Sequence, residues 1–216
     1  TALDQEGKKL FVAVHPLIHP KVSPSSFDGY DYRTIGDLAD RVILMAHDYD
    51  AKRLTEAEMA RGLTETPLTP IENVYYALRA ITDPDTGVSD KGKIMLQISF
   101  DWKVWNKKDG KTLNSTAKAY NLENFINLLN SGKDITYGYS EIYENPYLTY
   151  TDAETGIESI VWYENRRSVM AKINLAKLFG IRGISLWRLG QIPDYVPDDG
   201  RDLGMDVWQN ILKEME

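Results

Sequence analysis

Four short apolar runs stand out along the chain of 216 residues. They occupy residues 9–15, 41–48, 93–100 and 183–187. Each run is apolar at almost every position rather than at alternate positions, which is typical of strands buried on both faces of a parallel sheet. The pattern therefore predicts four parallel strands that are covered by helices.

Helical patterns separate these runs. Residues 69–72, Thr-Pro-Ile-Glu, have the sequence of a capping box with proline at the first helical position, and apolar residues then recur on one face as far as Ile81. Asn165 is predicted to cap a helix over residues 166–179. A last amphipathic helix is predicted over residues 206–215.

Residues 102–163 break this alternation of strands and helices. Asp109-Gly110 is typical of a hairpin turn, residues 121–129 predict a short helix, and residues 147–163 predict a second hairpin. These signals predict a small α+β insertion before the last parallel strand. The predicted division is therefore a main domain of residues 1–101 and 164–216, with an insertion of residues 102–163.

Composition narrows the range of functions. Hydrophobic residues make up 43% and charged residues 26% of the chain, and no apolar run approaches the ~20 residues that a membrane-spanning helix needs. The net charge of −7 argues against a nucleic-acid partner, since phosphate binding needs clustered Lys and Arg. The absence of cysteine excludes disulfides and thiolate metal sites. The 13 tyrosines and 5 tryptophans would suit stacking against sugars, although such residues also fill cores.

Taken in order, the four runs resemble strands five to eight of the barrel of family 18 glycoside hydrolases. Residues 11–16 (FVAVHP) resemble the fifth strand, 39–50 (ADRVILMAHDYD) the sixth, 93–102 (KIMLQISFDW) the seventh and 180–190 (GIRGISLWRLG) the eighth. Residues 161–172 (VWYENRRSVMAK) resemble the segment that leads into the helix before the eighth strand. The resemblance covers nearly the whole chain and is strongest to the bacterial branch that acts on peptidoglycan and spore cortex.

The resemblance implies an α/β fold, namely the C-terminal half of a (β/α)8 TIM barrel with a small α+β insertion before the last strand. A complete barrel has eight strands and typically ~250 residues, so four strands account for half of one. The alternative architecture is a small doubly wound parallel sheet. No glycine-rich phosphate loop follows any predicted strand, so nothing favours a nucleotide-binding version of that sheet.

Two departures from the family pattern affect the expected chemistry. The family usually has Met-x-Tyr-Asp at the end of its sixth strand, whereas this chain has Met45-Ala46-His47-Asp48. The family's catalytic acid ends the motif Asp-Gly-x-Asp-x-Asp-x-Glu on the fourth strand. Residues 28–35 imitate only the first half of that motif, because Arg33 and Ile35 replace its last two acidic residues. We therefore expect a loop and a helix start there, and the true acid upstream of Thr1.

The resemblance also implies which residues bind substrate. Family 18 enzymes use the N-acetyl group of the substrate as nucleophile, so no enzyme nucleophile is required, and one carboxylic acid protonates the leaving oxygen. The side chains expected to bind substrate here are Met45, His47, Asp48, Gln97, Asp101 and Trp187. Asp48 would contact the acetamido group, His47 would hydrogen-bond the sugar, and Trp187 would stack beneath its ring.

Each of the three main assignments has a structural alternative. Asp48 could cap a helix or tether a loop. His47 could be a half-buried histidine whose hydrogen bonds are satisfied within the protein, and Trp187 could be a core residue.

Two other kinds of site are disfavoured. His15, His19 and His47 have a spacing that matches no standard zinc pattern, so neither a metal nor another cofactor is expected. Ser99 and Ser185 lie on predicted strands without a nucleophile elbow, which disfavours a serine hydrolase.

Together these patterns predict part of a glycoside hydrolase that acts on β-1,4-linked N-acetylglucosamine polymers, in chitin or peptidoglycan, by substrate-assisted retaining hydrolysis. Without the acid, the chain alone is expected to be inactive. The alternative function is a non-catalytic carbohydrate-binding or interaction module. We expect a glycan partner, no nucleic-acid partner, no membrane insertion, and a bacterial extracellular or cell-wall location.

The predicted half barrel leaves two strand edges open, at residues 9–15 and 183–187, and neither carries inward charges or a central proline. The inner face of the sheet would also meet water. The side chains predicted to be exposed there are Val12, Val14, Leu44 and Ile98, or else the alternate residues of the same strands. The chain is therefore expected to form a homodimer or to pair with an N-terminal half barrel, rather than to be a plain monomer. The remaining alternative is a rearranged open sheet whose face is covered by the insertion.

Overall fold

The structure is a computed structural model that describes residues 2–16, 30–49, 53–64, 67–196 and 200–215. The chain forms two compact units. Unit 1 takes its residues from 1–47, 71–98 and 170–186, and unit 2 from 48–70, 99–169 and 187–216. Each unit is organised around one β-sheet. No helix within the described ranges is long and apolar enough to cross a membrane.

The elements follow one another in an α/β order. The helices are α1 (Ala2–Gln5), α2 (Tyr32–Leu38), α3 (Glu56–Ala60), α4 (Ile71–Ile81), α5 (Leu122–Leu129), α6 (Arg166–Leu178) and α7 (Val207–Met215). The strands are β1 (Phe11–Val14), β2 (Arg41–Leu44), β3 (Ile94–Ser99), β4 (Trp102–Lys108), β5 (Lys111–Thr112), β6 (Lys118–Tyr120), β7 (Ile135–Ser140), β8 (Asn145–Thr151), β9 (Glu158–Trp162) and β10 (Gly183–Trp187). The four predicted parallel strands and the predicted helices are present, and Asn165 caps α6 by accepting from the Ser168 amide over 3.0 Å.

The sheet of unit 1 contains four strands in the order β1-β2-β3-β10. β1 pairs with β2, and β2 with β3, in parallel, with Val42 opposite Ile94. β10 runs in the same direction as β3. A Cβ at Gly183 would lie 2.9 Å from the Ile94 carbonyl oxygen, and at the other end the Phe100 amide donates to the Trp187 carbonyl over 2.7 Å. Strand order follows chain order without the reversal that a doubly wound sheet requires, and the described strands do not close into a barrel.

The two faces of this sheet differ in exposure. One face carries six buried side chains, Val14, Val42, Leu44, Ile94, Leu96 and Ile98. The opposite face carries the alternate residues, Phe11, Ala13, Ile43 and Met95, and Phe11 is 57% exposed. Of the two predicted sets, Val14, Leu44 and Ile98 do not meet water and Val12 is half-buried, whereas the alternate residues of the same strands form the more exposed face. The sequence does not distinguish the faces, because the runs are apolar on both.

Helices cover the buried face of the sheet. α4 turns four apolar side chains inward at helical spacing, namely Val74, Ala77, Leu78 and Ile81. In α2, Gly36 is buried against Val88, and a Cβ at this glycine would lie only 2.7 Å from Val88 Cγ1. Close packing of this kind joins α2 to the segment that follows α4.

The sheet of unit 2 is antiparallel, with strand order β5-β4-β9-β8-β7 and β6 paired with β4. The predicted turn at Asp109-Gly110 has positive φ angles of 51° and 74°, as a two-residue hairpin of this type requires. The rings of Trp102 and Phe125 pack in its core with centroids 3.8 Å apart. α5 begins with a reciprocal cap, in which the side chains of Asn121 and Asn124 accept from each other's backbone amides.

A buried polar network in unit 2 corrects one prediction. Glu164 is 2% exposed and accepts from Ser168 Oγ over 2.6 Å and from Asn145 Nδ2 over 2.9 Å. The Thr69 hydroxyl donates to the same carboxylate. Thr69 was predicted to form a capping box with Glu72. The described α4 has no such box, and the Thr69 hydroxyl instead tethers the start of this helix to Glu164.

Candidate functional site

The candidate site begins where the strands of unit 1 end. Parallel strands place their carboxyl ends along one edge of a sheet, and ligands of α/β sheets and barrels bind at that edge. His47 follows β2 by three residues, Gln97 lies in the second half of β3, and Ser185 lies in β10. Gln97 and Ser185 thus lie on the neighbouring strands β3 and β10, and His47 lies just beyond the end of β2.

His47, Gln97 and Ser185 form one hydrogen-bonded chain. His47 Nε2 lies 2.8 Å from Gln97 Oε1, and Gln97 Nε2 donates to Ser185 Oγ over 3.2 Å. Because the Gln97 carbonyl oxygen can only accept, Nε2 of His47 carries the hydrogen. Gln97 is buried and His47 is half-buried, so the chain extends from the interior towards the surface. The arrangement fixes one tautomer and one orientation of the imidazole ring.

Met45 lies just before this histidine and helps to place it. Its side chain is half-buried, and its amide donates to the Val14 carbonyl of β1 over 3.0 Å. The His47 amide in turn donates to the Met45 carbonyl over 2.8 Å. The backbone therefore fixes the position of His47 together with Gln97.

Asp48 is the first residue of unit 2 and has an uncommon backbone conformation. Its φ of 63° lies in the left-handed region, which Asp and Asn tolerate better than most residues. Its Oδ1 lies 3.8 Å from Nζ of Lys103, and the two side chains are 53% and 16% exposed. The half-exposed carboxylate is thus held beside a largely buried ammonium group. Residues in such conformations cluster at functional sites.

Asp101 and Trp187 leave adjacent strands side by side. Asp101 follows Phe100, whose amide donates to the carbonyl of Trp187. Asp101 is half-buried, whereas Trp187 is 46% exposed and is therefore not a core residue. The peptide bond between Trp187 and Arg188 is cis. An exposed indole ring at the end of a strand offers a flat surface for an amphipathic ligand.

Comparison with known proteins identifies the family of the chain. The model of the family described as "Glycosyl hydrolases family 18" matches residues 2–191. The chain belongs to glycosyl hydrolase family 18. The predicted resemblance to this family is thereby confirmed.

The relatives of this family 18 chain include cortical fragment-lytic enzymes. The one from Bacillus subtilis (strain 168) is 27% identical over 187 residues, which cover 86% of this chain and 39% of the relative. The probable di-N-acetylchitobiase 2 of Dictyostelium discoideum is 23% identical over 220 residues, which cover 88% of this chain and 55% of the relative. The chain thus spans 39% of the length of the first relative and 55% of the second.

Solved structures of family 18 proteins share the fold of the chain. The spore cortex-lytic enzyme SleL of Bacillus cereus superimposes with a TM-score of 0.70 at 24% identity, over 96% of this chain and 42% of that one. The C-terminal domain of a chitinase from Desulfitobacterium hafniense gives 0.71 at 21% identity, over 100% of this chain and 57% of that one. Together with the cortical fragment-lytic relatives, these structures confirm the predicted resemblance to the spore-cortex branch.

The segment that imitates the acid motif forms a helix start. Residues 28 and 29 lie outside the described residues, but Asp31 is the N-cap of α2, and its carboxylate accepts from the Thr34 amide and hydroxyl over 3.0 and 2.7 Å. These bonds, the backbone one foremost, lower the pKa of Asp31. Arg33 and Ile35 lie within the helix. The expected loop and helix start is therefore confirmed at its described end.

Two residues of this arrangement were not predicted as site residues. Ser185 was weighed only as a nucleophile, although alternation along β10 places it on the same face as Trp187, and this signal could have found it. Lys103 carries no such signal, because its approach to Asp48 depends on the placement of β4 in unit 2.

Within the described part of the chain, no cluster of three or more His, Asp or Glu side chains could hold a metal ion. His15 and His47 belong to that part, whereas His19 lies outside it. The structure therefore adds no support for a metal among the residues that it describes.

Proposed function

We propose that this chain forms the sugar-binding part of a glycosidase. The observation that carries the proposal is the hydrogen-bonded chain of His47, Gln97 and Ser185 at the carboxyl ends of parallel strands, in a family 18 chain. Oriented polar groups at this edge suit the recognition of sugar hydroxyl and acetamido groups. The membership in family 18 supplies the class of reaction.

We infer that the four-stranded sheet is the C-terminal half of a (β/α)8 barrel. In support, its strands are parallel and follow chain order, and helices cover one face, as in the wall of a barrel. The other face carries Phe11, Ile43 and Met95, which further strands would cover. Residues 1–101 and 164–216 then form the half barrel, and residues 102–163 form the insertion.

The proposed reaction is substrate-assisted retaining hydrolysis. The acetamido oxygen of the sugar attacks its own anomeric carbon, the bond to the leaving oxygen breaks, and that oxygen takes the proton of a carboxylic acid supplied from outside this chain. Water then attacks the anomeric carbon of the cyclic intermediate and gives a proton to the carboxylate left by the first step, which restores the acetamido group and the acid with overall retention. Asp48 and His47 hold the acetamido group in line for the attack, Trp187 stacks beneath the ring, and Met45, Gln97 and Asp101 complete the contacts.

The proposed substrates are β-1,4-linked N-acetylglucosamine polymers, in chitin or peptidoglycan. The proposal draws on the names of the relatives, which include cortical fragment-lytic and di-N-acetylchitobiase proteins. Bacterial polymers of this kind lie outside the cytoplasmic membrane, so we propose an extracellular or cell-wall location.

The proposed protein partner is the polypeptide that completes the barrel, either an N-terminal half barrel or a second copy of this chain. An N-terminal half barrel would cover the open sheet face and supply the acid, whereas a homodimer would cover the face without supplying one. The first partner is therefore the one compatible with catalysis.

A second candidate function is a non-catalytic carbohydrate-binding module. It is favoured by the helix that begins at Asp31, since the acid-like segment of residues 28–35 cannot serve as the missing acid strand. In that case the same strand ends would bind a glycan without cleaving it.

Turnover of a chromogenic N-acetylglucosaminide by the purified chain tests the proposal. We expect no hydrolysis above that of buffer. Hydrolysis that survives both Asp28→Asn and Asp31→Asn would show that the chain holds an acid elsewhere. Hydrolysis that those substitutions abolish would instead assign the acid to the segment over residues 28–35.

A further inference from the structure

A second concave site lies on the flank of unit 1, between the first turn of α2 and the last turns of α4 with the loop that follows it. The cavity has a volume of about 650 Å³. Pockets that hold small ligands span roughly 300–1,000 Å³, so the size is appropriate for a short oligomer. The lining residues used below are Tyr30, Tyr32, Tyr76, Arg33, Arg79 and Asp85. None of them belongs to the strand-end site.

Three tyrosine rings supply flat apolar surfaces to this cavity. The rings of Tyr30 and Tyr32 lie nearly parallel, at an interplanar angle of 9°, with centroids 6.2 Å apart. Tyr32 is anchored because its hydroxyl donates to the His15 carbonyl over 3.0 Å. Tyr76 lies beside the inward face of α4 and is half-buried. Anchored rings of this kind lose little conformational entropy when a ligand stacks on them.

Several of the charged groups around the cavity are engaged within the protein. The Asp31 carboxylate accepts from the Thr34 amide in the first turn of α2. The Asp83 carboxylate accepts from the backbone amides of Asp85 and Thr86 within its own turn. Arg33 donates to the Pro84 carbonyl over 2.5 Å. Arg79 and Asp85 are exposed on the rim. The five charged lining residues nearly balance, with a formal charge of −1, and the exposed Arg79 and Asp85 offer a donor and an acceptor to an uncharged ligand rich in hydroxyl groups.

We propose that this cavity is a second glycan-binding site, which takes an N-acetylglucosamine oligomer on its tyrosine faces while Arg79 and Asp85 bond the sugar hydroxyls. The identity of the polymer rests on the proposed function, because both sites would engage the same glycan. When one polymer occupies both sites of the protein, binding at the second site becomes an intramolecular step. This cavity on the flank of unit 1, the flank site, therefore raises the local concentration of glycan near the strand ends.

The test is a titration of the isotopically labelled chain with the tetramer of N-acetylglucosamine, followed by amide chemical shifts. We expect shifts at residues 30–33 and 76–86. Tyr76→Ala and Arg79→Ala should each weaken this binding about tenfold, the equivalent of one lost ring stack or charged hydrogen bond. The control is Glu72→Ala, since Glu72 is an exposed residue of α4 that does not line the cavity.

The outcomes separate this inference from the proposed function. Shifts at the cavity that persist in His47→Ala show a site independent of the strand ends, even if the strand ends themselves do not respond. Shifts confined to residues 45–48, 97 and 187 overturn the flank site and leave the proposed function intact. An absence of cavity shifts at millimolar tetramer, or equal weakening by Glu72→Ala and Tyr76→Ala, overturns it as well.

Discussion

At the scale of single residues, substitutions of Asp48 can distinguish the contribution of its backbone conformation to stability from that of its carboxylate. Its left-handed φ of 63° suits Asp and Asn but strains a β-branched residue. We expect Asp48→Asn to change the free energy of unfolding by less than ~0.5 kcal/mol, and Asp48→Val to lower it by about 1–3 kcal/mol. Urea denaturation of the three proteins measures both values. Equal losses in the two variants would show that the carboxylate, rather than the backbone shape, dominates stability at this position.

The buried carboxylate of Glu164 supports a second prediction at this scale. It accepts hydrogen bonds from the hydroxyls of Thr69 and Ser168 and from the side-chain nitrogen of Asn145, and these three residues are buried. Glu164→Leu removes an acceptor that these three donors share, although Asn145 Nδ2 and Ser168 Oγ keep second acceptors at the Tyr163 and Asn165 carbonyls. It should therefore lower the free energy of unfolding by about 1–3 kcal/mol. Glu164→Gln keeps one acceptor oxygen and should cost less. A Leu variant as stable as the wild type would mean that water replaces the carboxylate.

At the scale of elements, the junction of α2 with the segment after α4 depends on one glycine. A Cβ at Gly36 would lie 2.7 Å from Val88 Cγ1, so Gly36→Ala should destabilise by about 1–3 kcal/mol although alanine favours helices. Val88→Ala removes the obstructing methyl groups. In a double-mutant cycle the double variant should therefore lose less stability than the sum of the single variants. Strict additivity would contradict this close packing.

The hairpin of β8 and β9 is predicted to be sensitive to acid. Asp152 lies in the turn between these two strands, where its carboxylate accepts from Lys133 and Thr155. These bonds, the one from Lys133 foremost, hold the pKa of Asp152 well below the usual 3.8. Its stabilising contribution is therefore complete above pH 3.8 and is lost as the pH falls towards the lowered value. Asp152→Asn should flatten the dependence of stability on pH below about 4. Thermal unfolding followed between pH 2 and 6 would contradict this if both proteins lost stability alike.

The strands and helices could be predicted from the sequence better than the covered face of the sheet or the contacts between residues distant in sequence. Apolar runs and cap residues located β1, β2, β3, β10 and the helices α4, α5 and α6, because these signals are local, whereas the short α3 was not predicted. The face of the sheet that helices cover was not predictable, since runs that are apolar throughout carry no alternation. The roles of Thr69 and Lys103 also escaped prediction, because each depends on a partner that is distant in sequence, Glu164 and Asp48 respectively.

At the scale of the whole molecule, the open sheet face sets the expected assembly. Phe11 is 57% exposed, and Ile43 and Met95 on the same face are only half-buried. Removing several hundred Å² of apolar surface from water stabilises by ~25 cal/mol per Å², so a partner should bind this face. Sedimentation of the chain at micromolar concentration should show a dimer or larger species. A compact monomer that melts cooperatively would show that the face needs no partner.

The candidate site could be predicted only in part. Resemblance to the family nominated His47 and Trp187, and its place near the end of a strand nominated Gln97. The structure joins His47 to Gln97 through a hydrogen bond and exposes Trp187. The expected proximity of Asp48 and Trp187 stays a prediction.

That proximity is also the central claim, because both residues are proposed to hold one sugar. A crystal structure of the chain with the tetramer of N-acetylglucosamine tests it most directly. We expect a sugar ring stacked on the exposed face of Trp187, with its acetamido group within hydrogen-bond distance of Asp48 or His47. Asp48 and Trp187 at opposite ends of the sheet, or a well-ordered tetramer that touches neither, would contradict the proposed site.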